Sequence, residues 1–563
     1  MQELTDKSSR AQISRAAIQR LHISMRHLFT RGSYKPLGIS GEAMINSLLA
    51  LSPEIYGSIS DTERVELNGL LYIFQRLPQG IEECRFVKLI SREGYQNSQF
   101  PLEVPLKRRR NCYRIDDDQI FIEMTRGRSD IYDVLTHLTF MYIEAEKIRR
   151  NALDSKGRKK RDWVILEKII SRLKNGEKFN TNVASTYLST LLGRTYEETS
   201  MALEQFENAD KVNSLFQIVY WLGYHSIEEY LNKTDREISF SSTLREKVGH
   251  HIFGERWAQQ IKALLEDKKL LNRPIHIISS NLHSVINSFY AASALKNKVK
   301  SKSLEELAEI LSSENNQNLM DSVRQFALKN GMYELFDNAG TNIGVQVFDL
   351  SKISGELLPS ELTAAWNGND KSKVVIVMDY AFGEQAYECM DELLKPYTKE
   401  GEKINLDIKS ISIMGKAGIL EGKKGDIMIP DAHIFEGSAD NYVVENNLTS
   451  DDFSGSGLNV YKGPMITVLG TSLQNKDILR YFLKSSWNAI GLEMEGAHYQ
   501  KAIQAASKIR HSIDEDIILN YAYYASDNPL ETGSTLASGG LGVGGVKPTY
   551  LITLAFLKSI FKK

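Results

Sequence analysis

The feature that most constrains this chain is a change of pattern near residue 272. Beyond Arg273-Pro274, short apolar runs alternate with helical stretches. Ile275–Ser279 (IHIIS) reads as a strand, and residues 282–295 as the helix after it. Further strands are predicted at residues 344–350, 374–378, 410–414, 426–429, 465–469, 489–492 and 517–525. Apolar runs of this kind need cover on both faces. Alternation with helices therefore predicts an α/β fold built on a largely parallel, doubly wound sheet. Such sheets bind ligands beyond the carboxyl ends of their strands.

A single core rarely grows past about 250–300 residues, so a chain of 563 residues implies more than one domain. Residues 1–271 read as a mostly helical domain that regulates, oligomerises or covers a site. In residues 130–150 and 213–231 apolar positions recur at i, i+3, i+4 and i+7. Its two basic runs, Lys107–Arg110 and Lys156–Arg161, read as solvated loops or as phosphate contacts. Residues 272–563 form the second domain. The 69 basic residues balance 71 acidic ones, which argues against a nucleic-acid binder driven by bulk charge. Cys84, Cys112 and Cys389 are too few and too scattered for a disulfide framework or a zinc site, and they fit a reducing, cytoplasmic compartment. No apolar leader opens the chain, and no stretch approaches the roughly 18 apolar residues of a membrane span. The apolar end YLITLAFLKSIF reads as a buried terminal helix.

Four predicted strand ends carry unusual residues. Residues 489–492 run into Glu493-Met494-Glu495-Gly496 and then a helix. An ordinary cap satisfies only one of two carboxylates. A carboxylate facing a pocket accepts two hydroxyl hydrogen bonds, as a cis-diol offers, with Met494 as an apolar floor. The same acids also suit a plain helix N-terminus. Residues 517–525 deliver Ser526 and Asp527, after which Pro529 stops regular structure. Asp527 suits a general acid, and Asp-Asn-Pro equally suits an Asx turn. Gly415-Lys416-Ala417-Gly418 follows another strand. Its small residues admit close approach of backbone N–H groups to an anion or sugar, or make a tight turn. Asp379–Glu384 joins residues 374–378 to a helix and either lines the pocket or caps that helix.

The order of these elements resembles the nucleoside phosphorylase/nucleosidase superfamily (the purine nucleoside phosphorylase-like fold), with AMP nucleosidase as the nearest flavour, over about residues 272–563. The resemblance implies an α/β/α sandwich, a separate N-terminal region and no cofactor. It also implies cleavage of the N-glycosidic bond of a purine nucleoside or nucleotide through an oxocarbenium-like transition state. By this resemblance Glu495 holds the ribose diol with Met494 beneath the sugar. Asp527, supported by Ser526, protonates the purine as it leaves. Gly415, Lys416, Ala417 and Gly418 flank the sugar or an anion, and Leu473 and Gln474 of the GTSLQN segment stack on the base. Glu493 and Glu384 complete the expected substrate contacts. Homo-oligomers are common among such proteins, so further copies of this chain are expected partners.

Four positions depart from the pattern. His283 stands where phosphorylases place a phosphate-gripping Arg, which favours hydrolysis over phosphorolysis, although a plain helix-surface histidine reads the same. Lys416 replaces a small polar residue and either neutralises a 5′-phosphate or blocks the pocket. Leu473 replaces an aromatic, and Asn528 replaces a Lys often found after Ser-Asp. These departures keep open a non-catalytic nucleotide-sensing module and, with inorganic phosphate as partner, a phosphorylase. Gly539–Gly545 lacks the Gly-Lys-Ser/Thr ending of a P-loop and reads as a flexible connector or a flap over the pocket.

Overall fold

The computed structural model describes residues 2–300, 303–438, 440–531 and 542–562. It divides into two compact units, Met1–His250 with Ser472–Ile478 and His251–Thr471 with Leu479–Lys563. The first unit contains the expected helices, at Gly127–Ala152 and Leu215–Asn232. The latter opens on a capping box in which Ser214 and Gln217 satisfy each other's backbone N–H.

This unit also holds a sheet that the helical reading left out. Its strands are β1 (Ser33–Tyr34), β2 (Phe86–Ile90), β3 (Leu102–Glu103), β4 (Cys112–Arg114), β5 (Gln119–Glu123) and β6 (Glu237–Phe240), in the order β1-β6-β2-β5-β4-β3. Two to five residues are too few for a period-2 pattern to stand out between long helical ones. The first basic run is only partly solvated: Lys107 and Arg109 are exposed, whereas Arg108 and Arg110 turn to buried acids. The Arg110 side chain is 1% exposed and pairs with Asp130 (2.7 Å) and Asp133 (2.5 Å), while Arg108 pairs with Asp133 at 2.9 Å. The second run stays at the surface, with Arg158 on Asp154 and Lys159 on Glu167. Cys84, Cys112 and Cys389 are buried free thiols.

The described strands of the second unit are β7 (Ile275–Ser279), β8 (Met332–Leu335), β9 (Val345–Asp349), β10 (Val374–Met378), β11 (Tyr397–Lys399), β12 (Glu402–Ile404), β13 (Ile408–Ile419), β14 (Ile427–Phe435), β15 (Asn441–Val443), β16 (Val460–Thr467), β17 (Gly491–Glu493) and β18 (Ile518–Asp527). Apart from the β11–β12 ribbon they form one sheet in the order β15-β14-β16-β17-β13-β7-β10-β9-β8, with β18 pairing both β13 and β14. The protein is α/β, as expected, but the sheet is mixed rather than largely parallel. β10, β7, β13 and β18 run parallel, while β17 runs antiparallel to β13 and β18 to β14. The pairings β13–β18, β18–β14, β14–β16, β16–β17 and β17–β13 close a five-stranded ring.

The ring exists because β13 is long. Gly415-Lys416-Ala417-Gly418 is not a turn but its last part, and Gly418 and Ile419 carry the pairing to β17. Apolar side chains pack on both sides of the sheet: Ile277, Ile376 and Ile411 on one, Ile278, Val375 and Val377 on the other. The terminal helix, Val546–Phe561, buries Ile552, Phe556 and Ile560 in the second of these cores. No described helix is long and apolar enough to cross a membrane.

Candidate functional site

A cavity of about 350 Å³ lies in the second unit where these strands end. β7 contributes Ser279, β13 Gly415 and Lys416, β17 Glu493, and β18 Tyr523 and Tyr524. Tyr380 and Ala381 come from the loop after β10, and Met494, Glu495 and Tyr499 from the junction after β17.

The two glutamates of that junction do different jobs. Glu493 is 3% exposed. One carboxylate oxygen accepts from the Thr467 hydroxyl, and the other accepts from the backbone N–H of Glu495 and Gly496, both at 2.5 Å. Burial pushes its pKa up to about 7, against those hydrogen bonds. Glu493 therefore holds the turn together while also standing in the cavity wall. Glu495 Oε1 accepts from the N–H of Gly383 at 2.9 Å, which orients its carboxylate at the cavity wall. Gly383 has φ +55°, a conformation that favours glycine, and this turns its N–H toward the carboxylate. Met494 lies beside it, 9% exposed.

The tyrosines were not expected. Tyr499 shares a 2.9 Å hydrogen bond with Ser279, and Tyr523 one of 3.2 Å with His433 Nε2. His433 is fully buried, and burial pulls its pKa down to about 3, so the ring is neutral. The available signal was the run Tyr521-Ala-Tyr523-Tyr524, because buried phenols need polar partners and so collect where polar groups are already present.

Lys416 lines this cavity and a second one of about 510 Å³, and Tyr380 and Tyr524 are also shared by both walls. Among the described residues Lys416 has no carboxylate partner. His283 and Asn281 line only the second cavity, and the His283 pKa is lowered by burial against the pull of Asp379.

Other expected residues lie elsewhere. Ala417 and Gly418 are buried within β13, between β17 and β18. Ser526 is the extra residue of a β-bulge: Ala417 pairs with Ala525 and Gly418 with Asp527. Its hydroxyl donates to Asp527 Oδ1 (2.6 Å). Asp527 is 5% exposed and stands three residues past Tyr524, outside the wall of the cavity. Glu384 sits at the head of the helix Gln385–Leu393, so Tyr380 and Ala381 represent that loop in the wall. Leu473 and Gln474 are not in the wall at all but belong to the first unit. There Gln474 O accepts from Glu54 N (2.9 Å) and Asn475 Nδ2 donates to Leu51 O (2.7 Å). Residues 539–541 of the glycine-rich run lie outside the described residues.

A family model described as "Family of unknown function (DUF6909)" matches residues 42–329 and 307–562. The chain belongs to this family. No curated protein matches it. Its neighbours among solved structures include nucleosidases and a futalosine hydrolase. The 5′-methylthioadenosine/S-adenosyl homocysteine nucleosidase of Campylobacter jejuni aligns at 11% identity and TM-score 0.30, over 52% of this chain and 99% of that one. A futalosine hydrolase mutant of Helicobacter pylori strain 26695 aligns at 11% identity and TM-score 0.29, over 51% and 98%. The Streptococcus pneumoniae MTA/SAH nucleosidase in complex with 8-aminoadenine aligns at 13% identity and TM-score 0.30, over 51% and 99%.

Proposed function

We propose that this protein hydrolyses the N-glycosidic bond of a purine nucleotide or nucleoside. The observation that carries the reading is the placement of Glu495: a carboxylate held by Gly383 N–H at a cavity wall, beside Met494. A carboxylate at a pocket wall is a group that two vicinal hydroxyls can donate to, and a ribose 2′,3′-diol presents such a pair. The same charge lies near the position where a ribosyl cation would develop, so it stabilises the transition state more than the ground state. In the reaction the C1′–N bond breaks with its electron pair going to the base, Asp527 protonates the base, and water supplies the hydroxyl at C1′. Lys416, on the wall shared with the second cavity, supplies positive charge for a phosphate. That favours a nucleotide, of which AMP is the first to try.

A second reading, a sensor that binds a nucleotide without cleaving it, is favoured by one observation. Asp527, the proposed acid, stands outside the cavity wall and is hydrogen-bonded by Ser526.

The test is release of free base from a panel of nucleosides and nucleotides, with and without inorganic phosphate, by wild type, Asp527→Asn and Glu495→Gln. Phosphate-independent release, lost in Asp527→Asn and reduced about ten- to a hundredfold in Glu495→Gln, is expected for a hydrolase. Release only with phosphate makes it a phosphorylase. Binding without release, unchanged by Asp527→Asn, makes it a sensor.

A further inference from the structure

The first unit contains a cavity of about 560 Å³, larger than the two described in the second, and no role assigned so far involves it. It lies among the helices Ile39–Leu51, Gly127–Ala152 and Leu215–Asn232 and the segment that follows the last of these. Its wall includes the hydrocarbon side chains of Leu37, Ile45, Leu49, Ile59 and Ile143. The rest of the wall is largely polar, and its hydrogen-bonding capacity is lopsided.

Each carboxylate in the wall is already engaged. Glu146 holds Arg149 and Arg150, Glu229 holds Arg236, and Asp235 holds Lys35. Asp61 accepts from the backbone N–H of Glu63 and Arg64. Donors, by contrast, are left over. Arg236 is 3% exposed. Its Nη2 donates to Glu229 Oε2 at 2.5 Å and its guanidinium lies 4.5 Å over the Tyr142 ring, while its buried Nε has no partner among the described residues. Ser226 is 4% exposed, and its hydroxyl is a further donor in the wall. Lys233 donates only to Tyr230 O, at 3.2 Å, and has no carboxylate partner.

A buried guanidinium nitrogen without an acceptor, with a serine hydroxyl and hydrocarbon side chains lining the same cavity, calls for a molecule with one acceptor-rich anionic end and an apolar body. We infer that this cavity binds a small amphiphilic monocarboxylate. Its carboxylate meets Arg236 and Ser226, with Lys233 neutralising it from the rim, and its hydrocarbon lies on Ile45 and Leu49. A sugar or a polyphosphate is a poorer complement, because either leaves the apolar wall facing polar groups.

The test is calorimetric titration of the full chain with octanoate and 4-phenylbutyrate, and with the alcohols of the same carbon skeletons. Wild type is expected to bind at least one carboxylate about tenfold more tightly than its alcohol. Ser226→Ala is expected to weaken that binding several-fold. Arg236 is a poor first target, since its removal strands the buried Glu229 carboxylate. Leu49→Trp instead fills the cavity from a partly exposed position and is expected to abolish binding in a folded protein. Three results would each overturn the inference: neither carboxylate binding up to about 10 mM, equal binding of acid and alcohol, or unchanged binding in Leu49→Trp.

Discussion

The imidazole of His433 occupies the space that a side chain at Gly496 would need. A Cβ there would lie 2.2 Å from His433 Cδ2 and 2.9 Å from Glu493 Oε1. The ring has no room to retreat, because it is fully buried and hydrogen-bonded to Tyr523. Gly496→Ala is therefore expected to destabilise the second unit by about 1–3 kcal/mol through overpacking and to displace Glu495. Urea denaturation checks the first effect, and loss of ligand binding checks the second.

Glu493 makes stability depend on pH in a definite direction. Its carboxyl is raised from 4.5 to about 7 by burial. The folded protein thus keeps a proton that the unfolded chain releases, and this group's contribution falls as pH rises from about 4.5 to 7. Glu82 and Glu144 are raised to about 7 by burial as well, so the comparison must be with a variant. Glu493→Gln keeps an acceptor for the two N–H groups and places an amide donor toward Thr467. Relative to that variant, wild type is expected to lose on the order of 2–3 kcal/mol across this window and to stay level above it. Urea denaturation at a series of pH values reads the difference.

The ion-pair network of the first unit predicts an asymmetric cost. Arg110 lies between Asp130 and Asp133, with its side chain 1% exposed. Arg110→Met leaves those carboxylates with less compensation in a dry environment and is expected to cost about 3–5 kcal/mol. Replacing Lys159, which pairs with Glu167 at the surface, is expected to cost under about 1 kcal/mol. Equal costs in urea denaturation would contradict this picture of the two basic runs.

Leu473 separates a base contact from a structural role. It is 3% exposed and belongs to the first unit. Leu473→Ala is expected to lower stability by about 2–5 kcal/mol as a core truncation. Nucleotide affinity, measured by titration below the unfolding transition, is expected to stay unchanged. A selective loss of purine affinity would restore the stacking role.

Much of the second unit was legible because its strands are nearly uniform apolar runs. β7 and β10 fall at the residues expected, and Glu495 and Met494 reach a cavity wall as their position after a strand implied. The Gly415–Gly418 stretch misled for a local reason. Two glycines and an alanine look like a turn, but here they let β13 continue with Tyr523 close beside Gly415, where a Cβ would meet the ring at 2.9 Å. Glu493 and Glu495 are indistinguishable in sequence, since each is an acid at a strand-to-helix junction. Only the hydroxyl of Thr467 and the amide of Gly383, brought in from distant segments, tell them apart: one carboxylate is fixed within the turn, the other against the loop after β10.

What the sequence by itself determined is local. Apolar periodicity dictates where strands and helices form in residues 272–563, and residue chemistry dictates which groups are worth finding at their ends. The tertiary structure decided the rest: the closure of five strands into a ring, the burial of Arg110, the transfer of Ser472–Ile478 to the first unit, and the division of labour between two glutamates. The physical reason is that periodicity is set by neighbours a few residues apart. Whether a charge is paired, a strand is closed or a carboxylate is oriented depends on partners that the chain brings together from a hundred or more residues away, as Gly383 and Glu495 are.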